Sequence, residues 1–490
     1  MKAWRSEPGN LRGAPEITRV APRDWRTTCL RAHEHGQRFR GLFADSLEHG
    51  SVELRAVFEA AGEESVIVSE RSEATFEASP PIFETIVDAI PAAAWDEREA
   101  HDLHHVRFAG HEPLRPLLDH DAPLDAWTVP TVGHDTHQVA VGPVHAGVIE
   151  SGHFRFHVVG ERILHLDARL FYKRRGLEAA AAGRPLAEGI AYAQRACAAC
   201  AVTNTVAYAQ ACEATLGIEP DRELRRMRTL LLELERVYNH LHDISMICAG
   251  VGFAAGTMAY AALKERAQRL NERLTGHRFL FDTVTVGAGE LSLDEHQIRH
   301  ARGELQAVRD EHTTSWRELQ FVSSLQQRLA GPGAVSSEDA ARLGAVGPVA
   351  RACGLREDAR ADSPRLWYGD FGVVTPARAT GDVASRMAQR SVELDQSLAL
   401  LQDLLTTPLT RGRTRPATAG SNIGIGRVES PRGTTICLLE RDGQRVRTLH
   451  LRTGSYANWP VLAHAVAGEL LPDFPLINKS FELCYACVDR

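Results

Sequence analysis

The chain has 490 residues, of which 44% are hydrophobic and 24% are charged, a composition that is typical of a soluble globular protein with two or three domains. The formal net charge is −7, from 56 basic and 63 acidic residues. This balance argues against a nucleic-acid-binding protein, which would carry a basic surface. Charged residues such as Arg5, Glu7 and Arg12 interrupt the start of the chain, so we predict no signal peptide and expect a cytoplasmic protein.

Residues 1–122 are predicted to form a small mixed α/β unit. Alternating side chains at 51–57 are typical of a half-buried strand, and residues 66–68 predict a second strand. Residues 82–90 predict a helix that ends before a proline. Residues 123–134 contain proline and show no hydrophobic period, so we interpret them as a linker.

Residues 135–490 are predicted to form a large, mainly helical bundle with peripheral β-hairpins, which makes the whole chain an α+β protein. Apolar residues recur every three or four positions over 227–244, a pattern that indicates a buried helix. Asp442 and Gly443 lie between two alternating apolar runs and predict a hairpin. Further predictions are strand segments over 144–171 and helices over 263–275, 291–329 (with interruptions) and 383–405.

Nine cysteines are present, and four of them form two Cys-x-x-Cys pairs, Cys197 with Cys200 and Cys484 with Cys487. Thiolates are ligands for soft metals, so the four could share one site. A structural zinc site is one alternative and a redox dithiol is another, although pairs that bind zinc usually lie close in sequence. The remaining five cysteines are predicted to be small buried hydrophobic residues.

The sequence around these pairs contains four recognisable motifs. They are residues 142–156 (GPVHAGVIESGHFRF), 195–200 (RACAAC), 430–433 (SPRG) and 484–487 (CYAC). In this order they resemble the large subunit of the nickel-iron hydrogenases, in the branch that includes formate hydrogenlyase and hydrogenase-4.

Other segments are similar to subunits of respiratory complex I. Residues 337–340, 347–351 and 381–386 fit both the hydrogenases and the 49-kDa subunit, whereas residues 95–99 (WDERE) and 110–117 (GHEPLRPL) resemble the 30-kDa subunit. The resemblance therefore covers nearly the whole chain. It implies a docking domain similar to the 30-kDa subunit, fused ahead of a hydrogenase-like domain.

The resemblance implies a nickel-iron centre whose iron carries cyanide and carbon monoxide, with no iron-sulfur cluster in this chain. By position, Cys197 and Cys484 would be terminal nickel ligands, and Cys200 and Cys487 would bridge to iron. Dihydrogen would split heterolytically, with a proton received by Cys484. Glu150 stands where the family places its proton-transfer glutamate.

Arg432 stands where the family places a guanidinium beside the diatomic ligands of iron, a position that suits a rigid, permanently charged side chain. The partners implied are a small iron-sulfur hydrogenase subunit, ferredoxin-like subunits and membrane antiporter-like subunits. Through them the chain would lie on the cytoplasmic face of the inner membrane. Its substrates would be dihydrogen and protons, and no nucleic acid is expected.

The chain departs from the hydrogenase pattern at several positions. Asn204 replaces a histidine that is usual beside the cofactor, so any proton-carrying role of that histidine is lost. Ala198 replaces a glycine, and Leu483 replaces a proline. The chain ends at Arg490, where many hydrogenases carry a removable extension, and this leaves a processed form and a member without an extension as alternatives.

Two other functions therefore stay open. The chain could be a complex I-like quinone-binding subunit, with His145 and Tyr172 near the quinone headgroup. It could also be a scaffold subunit whose cysteines hold zinc or no metal. All four thiols favour the hydrogenase, because a quinone site has no use for them.

Overall fold

The computed structural model describes residues 14–47, 51–71, 81–145, 150–362, 366–369, 372, 374–417 and 419–490. It confirms an α+β fold. The strands are β1 Glu16–Val20, β2 Arg38–Ser46, β3 Val52–Ala60, β4 Glu63–Arg71, β5 Ile82–Glu84, β6 Arg107–Ala109, β7 Thr136–Val141, β8 His153–Val159, β9 Arg162–Arg169, β10 Ile218–Pro220, β11 Ala288–Gly289, β12 Gly412–Pro416, β13 Ile423–Ser430, β14 Gly433–Asp442 and β15 Arg445–Arg452.

The helices range from a single turn to the 29-residue α7. They are α1 Trp25–Glu34, α2 Ala94–His104, α3 Leu124–Trp127, α4 Leu177–Ala181, α5 Leu186–Arg195, α6 Ala201–Leu216, α7 Arg222–Gly250, α8 Ala254–Thr275, α9 Glu295–Phe321, α10 Ser323–Leu329, α11 Ser337–Arg342, α12 Gly347–Ala352, α13 Ala359–Asp362, α14 Val383–Leu404, α15 Gly454–Ala465, α16 Phe474–Phe481 and α17 Ala486–Asp489. Short 3₁₀ turns occur at Pro22–Asp24, Pro91–Ala93, Ala198–Cys200 and Leu471–Asp473.

The amino-terminal sheet has the strand order β1-β4-β3-β2, in which β1 runs parallel to β4 and the other pairs are antiparallel. The predicted strands at 51–57 and 66–68 are confirmed as parts of β3 and β4. Apolar side chains of the sheet pack against α1 and α2 to form a core of their own, which includes Trp25, Leu54 and Phe83.

The predicted helix over 82–90 is wrong. Residues 82–84 form strand β5, which pairs in parallel with β6, and α2 begins only at Ala94. The buried Glu97 explains the difference, because its carboxylate accepts hydrogen bonds from the Ile86 amide at 2.9 Å and from the Thr85 hydroxyl at 2.7 Å. The backbone amide of Ile86 therefore bonds to a side chain of α2 and not to a carbonyl within a helix. The local sequence pattern does not reveal such a contact.

The amino-terminal sheet packs face to face on the carboxy-terminal sheet β13-β14-β15. One buried apolar cluster joins Phe43 and Val57 on the first sheet to Ile425 and Leu438 on the second. At the edge of this seam Arg55 is fully buried and ion-paired with Asp45, Glu53 and Glu440. The two sheets therefore bury apolar surface against each other as a sandwich does.

The segment 123–134 contains α3 and lies against β9. Trp127 is buried, and the Val129 amide donates to Asp167 Oδ2 at 3.0 Å. The domain boundaries at residues 122 and 135 stay predictions.

Helix α7 is the central element of the larger unit and packs against α8, α14 and α16. The helices predicted over 227–244, 263–275 and 383–405 are confirmed, and so is the hairpin around Asp442 and Gly443. The region predicted over 291–329 is the pair α9 and α10. The cysteines outside the two pairs are buried, as predicted: Cys29, Cys212, Cys248, Cys353 and Cys437.

Helix α6 lies directly on strand β13, and glycine makes this approach feasible. A Cβ atom on Gly426 would lie 1.8 Å from the Ala207 carbonyl oxygen, and one on Gly424 would lie 2.1 Å from that of Ala211. Close backbone contact at the middle of α6 thereby fixes the position of this helix, whose N-cap residue is Cys200. Among the described residues, no helix is long and apolar enough to cross a membrane.

Candidate metal centre

The four paired cysteines meet in one buried cluster. The Sγ atoms of Cys197 and Cys484 are 3.0 Å apart, although the residues are 287 positions apart in sequence. The thiols of Cys197, Cys200 and Cys487 all lie within 4.8 Å of one another and are buried, whereas Cys484 is partly exposed. The pKa of Cys197 lies well below its usual value, because hydrogen bonds from Cys200, Cys484 and Cys487 stabilise its thiolate.

The first cysteine loop, Cys197 to Cys200, is held by side chains of α7. Asn239 Nδ2 donates to the Ala199 carbonyl at 2.8 Å, and the Tyr238 hydroxyl donates to the same oxygen at 3.2 Å. Just beyond the loop, the Glu235 carboxylate accepts from the Val202 amide at 2.7 Å and from the Thr203 amide at 3.1 Å. These bonds tie the loop and the first turn of α6 to a rigid helix.

The second cysteine loop is held by α15 and by residues around β9. The Cys484 amide donates to Ser455 Oγ at 3.0 Å, and Thr453 Oγ1 donates to the Cys487 carbonyl at 3.2 Å. Asp489 accepts from the Phe171 amide at 2.8 Å. Both pairs are therefore fixed by hydrogen bonds that do not involve the sulfur atoms.

Glu150 is the carboxylate next to this second loop. Its Oε2 lies 4.0 Å from Cys484 Sγ and accepts from the Ala486 amide at 2.7 Å. Burial raises the pKa of Glu150 above its usual value despite the Ala486 hydrogen bond, which acts in the opposite direction. A half-buried carboxyl group with a raised pKa next to a thiol can exchange a proton with it.

Arg432 is buried beside the cluster. Its Nη1 donates to Asp243 Oδ2 at 2.7 Å, and Arg390 Nε donates to the same oxygen at 2.9 Å. Burial acts to lower the pKa of Arg432, but Asp243 and further acidic groups nearby together raise it above its usual value, so the guanidinium stays charged. Within the described chain, Arg432 Nε has no hydrogen-bond partner.

Asn204 is fully buried on the first turn of α6, one turn beyond Cys200. Neither its amide nitrogen nor its amide oxygen has a hydrogen-bond partner in the part of the chain that the structure describes. Buried polar groups are nearly always bonded. Arg432 Nε and the Asn204 amide, one helical turn beyond Cys200, are thus buried donors without a partner among the described residues. Such donors fit a thiolate-bound nickel-iron centre whose diatomic ligands accept hydrogen bonds.

Among the described residues, neither His145 nor Tyr172 forms a hydrogen bond with any of the four cysteines. His145 Nε2 bonds to the Gly152 carbonyl at 2.7 Å, and the Tyr172 ring packs on His120 at 4.2 Å between centroids. Residues 146–149 of the motif that contains His145 lie outside the described chain. The expected roles of His145, Tyr172, Asn204, Glu150, Arg432 and the four cysteines stay predictions.

Sequence reasoning missed the residues that hold the first cysteine loop and Arg432, above all Glu235, Asn239 and Asp243 on α7. Their spacing of four places them on one face of the helix. A row of polar residues at this spacing is usually a solvated surface, but here all three are buried. No local signal marks them, because α7 carries further charged residues, such as Glu233 and Arg236, that are buried as well.

Comparison with known families gives matches to two complex I subunits. The family described as respiratory-chain NADH dehydrogenase, 30 Kd subunit, matches residues 18–130. The family described as respiratory-chain NADH dehydrogenase, 49 Kd subunit, matches residues 250–419 and 409–490.

Individual relatives cover most of the chain. Formate hydrogenlyase subunit 5 of Escherichia coli is 30% identical over 446 residues, which are 84% of this chain and 78% of the relative. Hydrogenase-4 component G of Escherichia coli is 30% identical over 439 residues, which are 83% of this chain and 76% of the relative.

A solved structure, that of the archaeal membrane-bound sulfane sulfur reductase, has a chain that is 26% identical with a TM-score of 0.66, covering 73% of this chain and 99% of that one. The cysteine cluster, the matches to two complex I subunits and these relatives all indicate the same family. The chain belongs to the membrane-bound nickel-iron hydrogenase large-subunit family of the formate hydrogenlyase and hydrogenase-4 type, which is related to the 49-kDa subunit of complex I.

Proposed function

We propose that the chain is the catalytic large subunit of a membrane-associated nickel-iron hydrogenase, which cleaves or forms dihydrogen heterolytically and exchanges electrons with iron-sulfur partner subunits. The observation that carries this proposal is the cluster of four thiols, with Cys197 and Cys484 Sγ atoms 3.0 Å apart. Relatives of this chain are named as hydrogenases, and their names support the same activity.

In this proposal Cys197, Cys200, Cys484 and Cys487 would hold a nickel-iron centre whose iron carries cyanide and carbon monoxide, with Cys197 and Cys484 as ligands of nickel alone and Cys200 and Cys487 as ligands of both metals. The bound metals would supply the Lewis acidity that polarises dihydrogen and would take up the electron pair of its bond. The thiolate of Cys484 accepts the proton that is released. Because Cys484 is the least buried of the four, it is also the thiol best placed to pass that proton on.

Glu150 receives the proton from Cys484. The distance of 4.0 Å between Oε2 and Sγ is close to hydrogen-bond contact for a sulfur donor. The Ala486 amide donates to the same carboxylate oxygen at 2.7 Å. This backbone hydrogen bond orients Glu150 toward Cys484. A raised pKa lets this carboxyl group hold a proton for part of the cycle and release it afterwards.

Arg432 and Asn204 serve the iron side of the centre. The Asp243 carboxylate fixes one edge of the guanidinium and leaves Nε free of protein partners among the described residues, so this N–H can donate to a diatomic ligand. The Asn204 amide can donate to a sulfur or a diatomic ligand, but it cannot carry a proton. Of Glu150, Arg432 and Asn204, only Glu150 therefore takes part in proton transfer.

The membrane association is proposed to come from partner subunits. The relatives that are named as parts of formate hydrogenlyase and hydrogenase-4, and the sulfane sulfur reductase described as a respiratory membrane complex, support a peripheral subunit of such an assembly. Electrons would leave through a small iron-sulfur subunit. Ferredoxin-like and membrane antiporter-like subunits would complete the complex on the cytoplasmic face of the inner membrane.

Substitution of the ligands tests this proposal. Cys197→Ser or Cys484→Ser in the assembled complex should abolish hydrogen turnover and lower the bound nickel, whereas Cys353→Ala, a buried cysteine outside the cluster, should keep both. Hydrogen turnover is measured by gas chromatography and nickel by mass spectrometry. Unchanged turnover in both serine variants would contradict the ligand assignment.

A complex I-like quinone-binding subunit is the second candidate. The match to the 49 Kd subunit over residues 250–419 and 409–490 favours it, and so does an asparagine at 204 in place of histidine. His145 and Tyr172 would then contact the quinone headgroup. This candidate predicts quinone reduction that survives Cys197→Ser, the opposite of the hydrogenase prediction.

A further inference from the structure

Glu235 stands out as a buried carboxylate behind the cysteine cluster. It is fully buried on α7 and accepts three hydrogen bonds, from the Val202 and Thr203 amides and from Thr203 Oγ1 at 2.5 Å. Within the described chain, it has no ion-pair partner. Buried carboxylates are normally paired with a cation or placed near a metal.

The hydrogen bonds that Glu235 accepts take the place of an N-terminal cap on α6. Cys200 is the N-cap residue of α6, and its side chain makes no capping hydrogen bond. The first amides of a helix need acceptors, and here a carboxylate from another helix supplies them. The start of α6, and with it the direction of the Cys200 side chain, is therefore fixed by α7.

Asn239 holds the middle of the same loop. Its Nδ2 donates to the Ala199 carbonyl and to the Glu235 carbonyl, both at 2.8 Å. The Tyr238 hydroxyl donates to Ala199 as well, at 3.2 Å. Hydrogen bonds from the protein thus hold the loop between Cys197 and Cys200 at its centre and just after its end.

The same face of α7 also reaches Arg432. Glu235, Asn239 and Asp243 follow one another at intervals of four residues, and Asp243 Oδ2 accepts from Arg432 Nη1 at 2.7 Å. One rigid helix therefore fixes the distance between the first cysteine loop and Arg432. A shift of α7 would move both together.

We propose that the Glu235, Tyr238 and Asn239 face of α7 is a positioning clamp that fixes Cys197 and Cys200 in place for binding a divalent metal. The clamp rests on the proposed function to the extent that the four cysteines bind metal. Residues that orient ligands typically contribute about 10-fold to 100-fold to metal affinity.

The test uses Co²⁺ as a probe, because thiolate-to-cobalt charge-transfer bands report the number and arrangement of cysteine ligands. Full-length, metal-free protein is titrated anaerobically with Co²⁺, for wild type, Glu235→Gln and Asn239→Ala. Glutamine keeps the shape but turns an N–H donor toward a backbone amide and removes the charge. We expect the Co²⁺ Kd to rise roughly 10-fold to 100-fold in both variants.

Two matched controls separate positioning from general stability. Asp102→Asn alters a carboxylate that also accepts two consecutive backbone amides, those of Leu117 and Leu118, but lies in the amino-terminal unit. Asn271→Ala removes a buried asparagine on α8 that donates to the Arg278 carbonyl. Both should keep the wild-type Co²⁺ affinity, and circular dichroism confirms that each variant is folded.

The outcomes distinguish the clamp from the metal site itself. If wild type shows thiolate–cobalt bands and Glu235→Gln and Asn239→Ala bind Co²⁺ as tightly as the controls, the clamp is refuted and the metal site stands. If wild type shows no such bands, the metal site and the clamp both fail. If Glu235→Gln does not fold, Asn239→Ala and Tyr238→Phe, which removes a single hydroxyl, decide the question by the same titration.

Discussion

Glu150 illustrates how much a single side chain decides in this site. Its carboxylate Oε2 lies 4.0 Å from Cys484 Sγ, and the Ala486 amide holds it in place. Burial raises its pKa, which brings the proton affinity of the carboxyl group closer to that of a thiol. Geometry and proton affinity thus both support a proton-transfer role.

Glu150→Gln should therefore separate proton transfer from metal binding. Glutamine can still accept from the Ala486 amide, so the loop and its nickel content should be unchanged. Hydrogen turnover should fall by about 100-fold or more, because an amide cannot carry the proton. Turnover is measured beside Glu161→Gln, an exposed glutamate on the β8–β9 hairpin, and wild-type turnover in Glu150→Gln would refute the assignment.

Asp243 is a second residue on which the site depends, because its carboxylate is shared by two buried guanidinium groups. Arg432 and Arg390 both donate to Oδ2. Burial acts to raise the pKa of Asp243, but the two arginines and His240 together hold it below the usual value. Removal of the carboxylate would leave two buried cations without compensation.

Asp243→Asn should lower the free energy of unfolding by about 3–5 kcal/mol, the usual cost of breaking a buried ion pair. Urea denaturation measures this change. The control is Asp395→Asn, whose half-exposed side chain lies 3.6 Å from Arg309, and here the loss should stay below about 1 kcal/mol. Equal losses in the two variants would contradict the picture of a buried charge cluster.

At the scale of elements, the contact of α6 with β13 positions the first cysteine pair. The helix approaches the strand so closely that Gly426 has no room for a side chain, since a Cβ atom would lie 1.8 Å from a backbone oxygen. The helix cannot yield locally, because its first turn is bonded to Glu235. Crowding at Gly426 should therefore be transmitted to Cys200.

Gly426→Ala should destabilise the fold by about 3 kcal/mol or more, because overpacking here meets backbone rather than a flexible side chain. Gly303→Ala is the matched control on helix α9, where no atom lies within 4 Å of an added Cβ. That substitution should stabilise the protein by about 0.5–1 kcal/mol through helix propensity. Thermal unfolding of both variants measures the contrast, and a neutral Gly426→Ala would show that α6 is not held as described.

The sequence predicts the long helices well because their hydrophobic period extends over many residues, as along α7. It also predicts the β14–β15 hairpin, because Asp442 and Gly443 suit a tight turn. It fails at residues 82–90, where Glu97 from α2 holds the backbone in a non-helical form. The clamp on α7 escapes prediction for the same reason, since its partners are distant in sequence.

At the scale of the whole molecule, the seam between the two sheets joins the amino-terminal unit to the unit that carries the cysteines. His450 stacks on Phe43 at 5.1 Å between ring centroids and bonds to both oxygens of Asp45 at 3.1 Å. The seam is therefore partly electrostatic. With such a seam, the amino-terminal unit should move as one body with the unit that carries the cysteines.

The seam should make stability depend on pH. Burial acts to lower the pKa of His450, but Asp45 outweighs it, so the folded pKa lies above 6.5. Because the folded protein then binds the proton more tightly than the unfolded chain, the contribution of this pair is full below pH 6.5 and is lost as the pH rises through the folded pKa.

His450→Gln should remove this pH dependence. The difference in unfolding free energy between wild type and His450→Gln should be larger near pH 6 than near pH 9. Urea denaturation at both pH values measures it, with His33→Gln, an exposed histidine on α1, as the control. A difference that grows toward alkaline pH would contradict the proposed pairing of His450 with Asp45.

The central claim is that four thiols from distant parts of the chain hold one nickel-iron centre, and it is tested most directly by metal analysis with infrared spectroscopy of the anaerobically purified complex. The claim predicts nickel in an amount equal to that of this chain, with cyanide and carbonyl stretching bands that disappear in Cys484→Ser. Zinc or no metal in the cluster, without such bands, would contradict it.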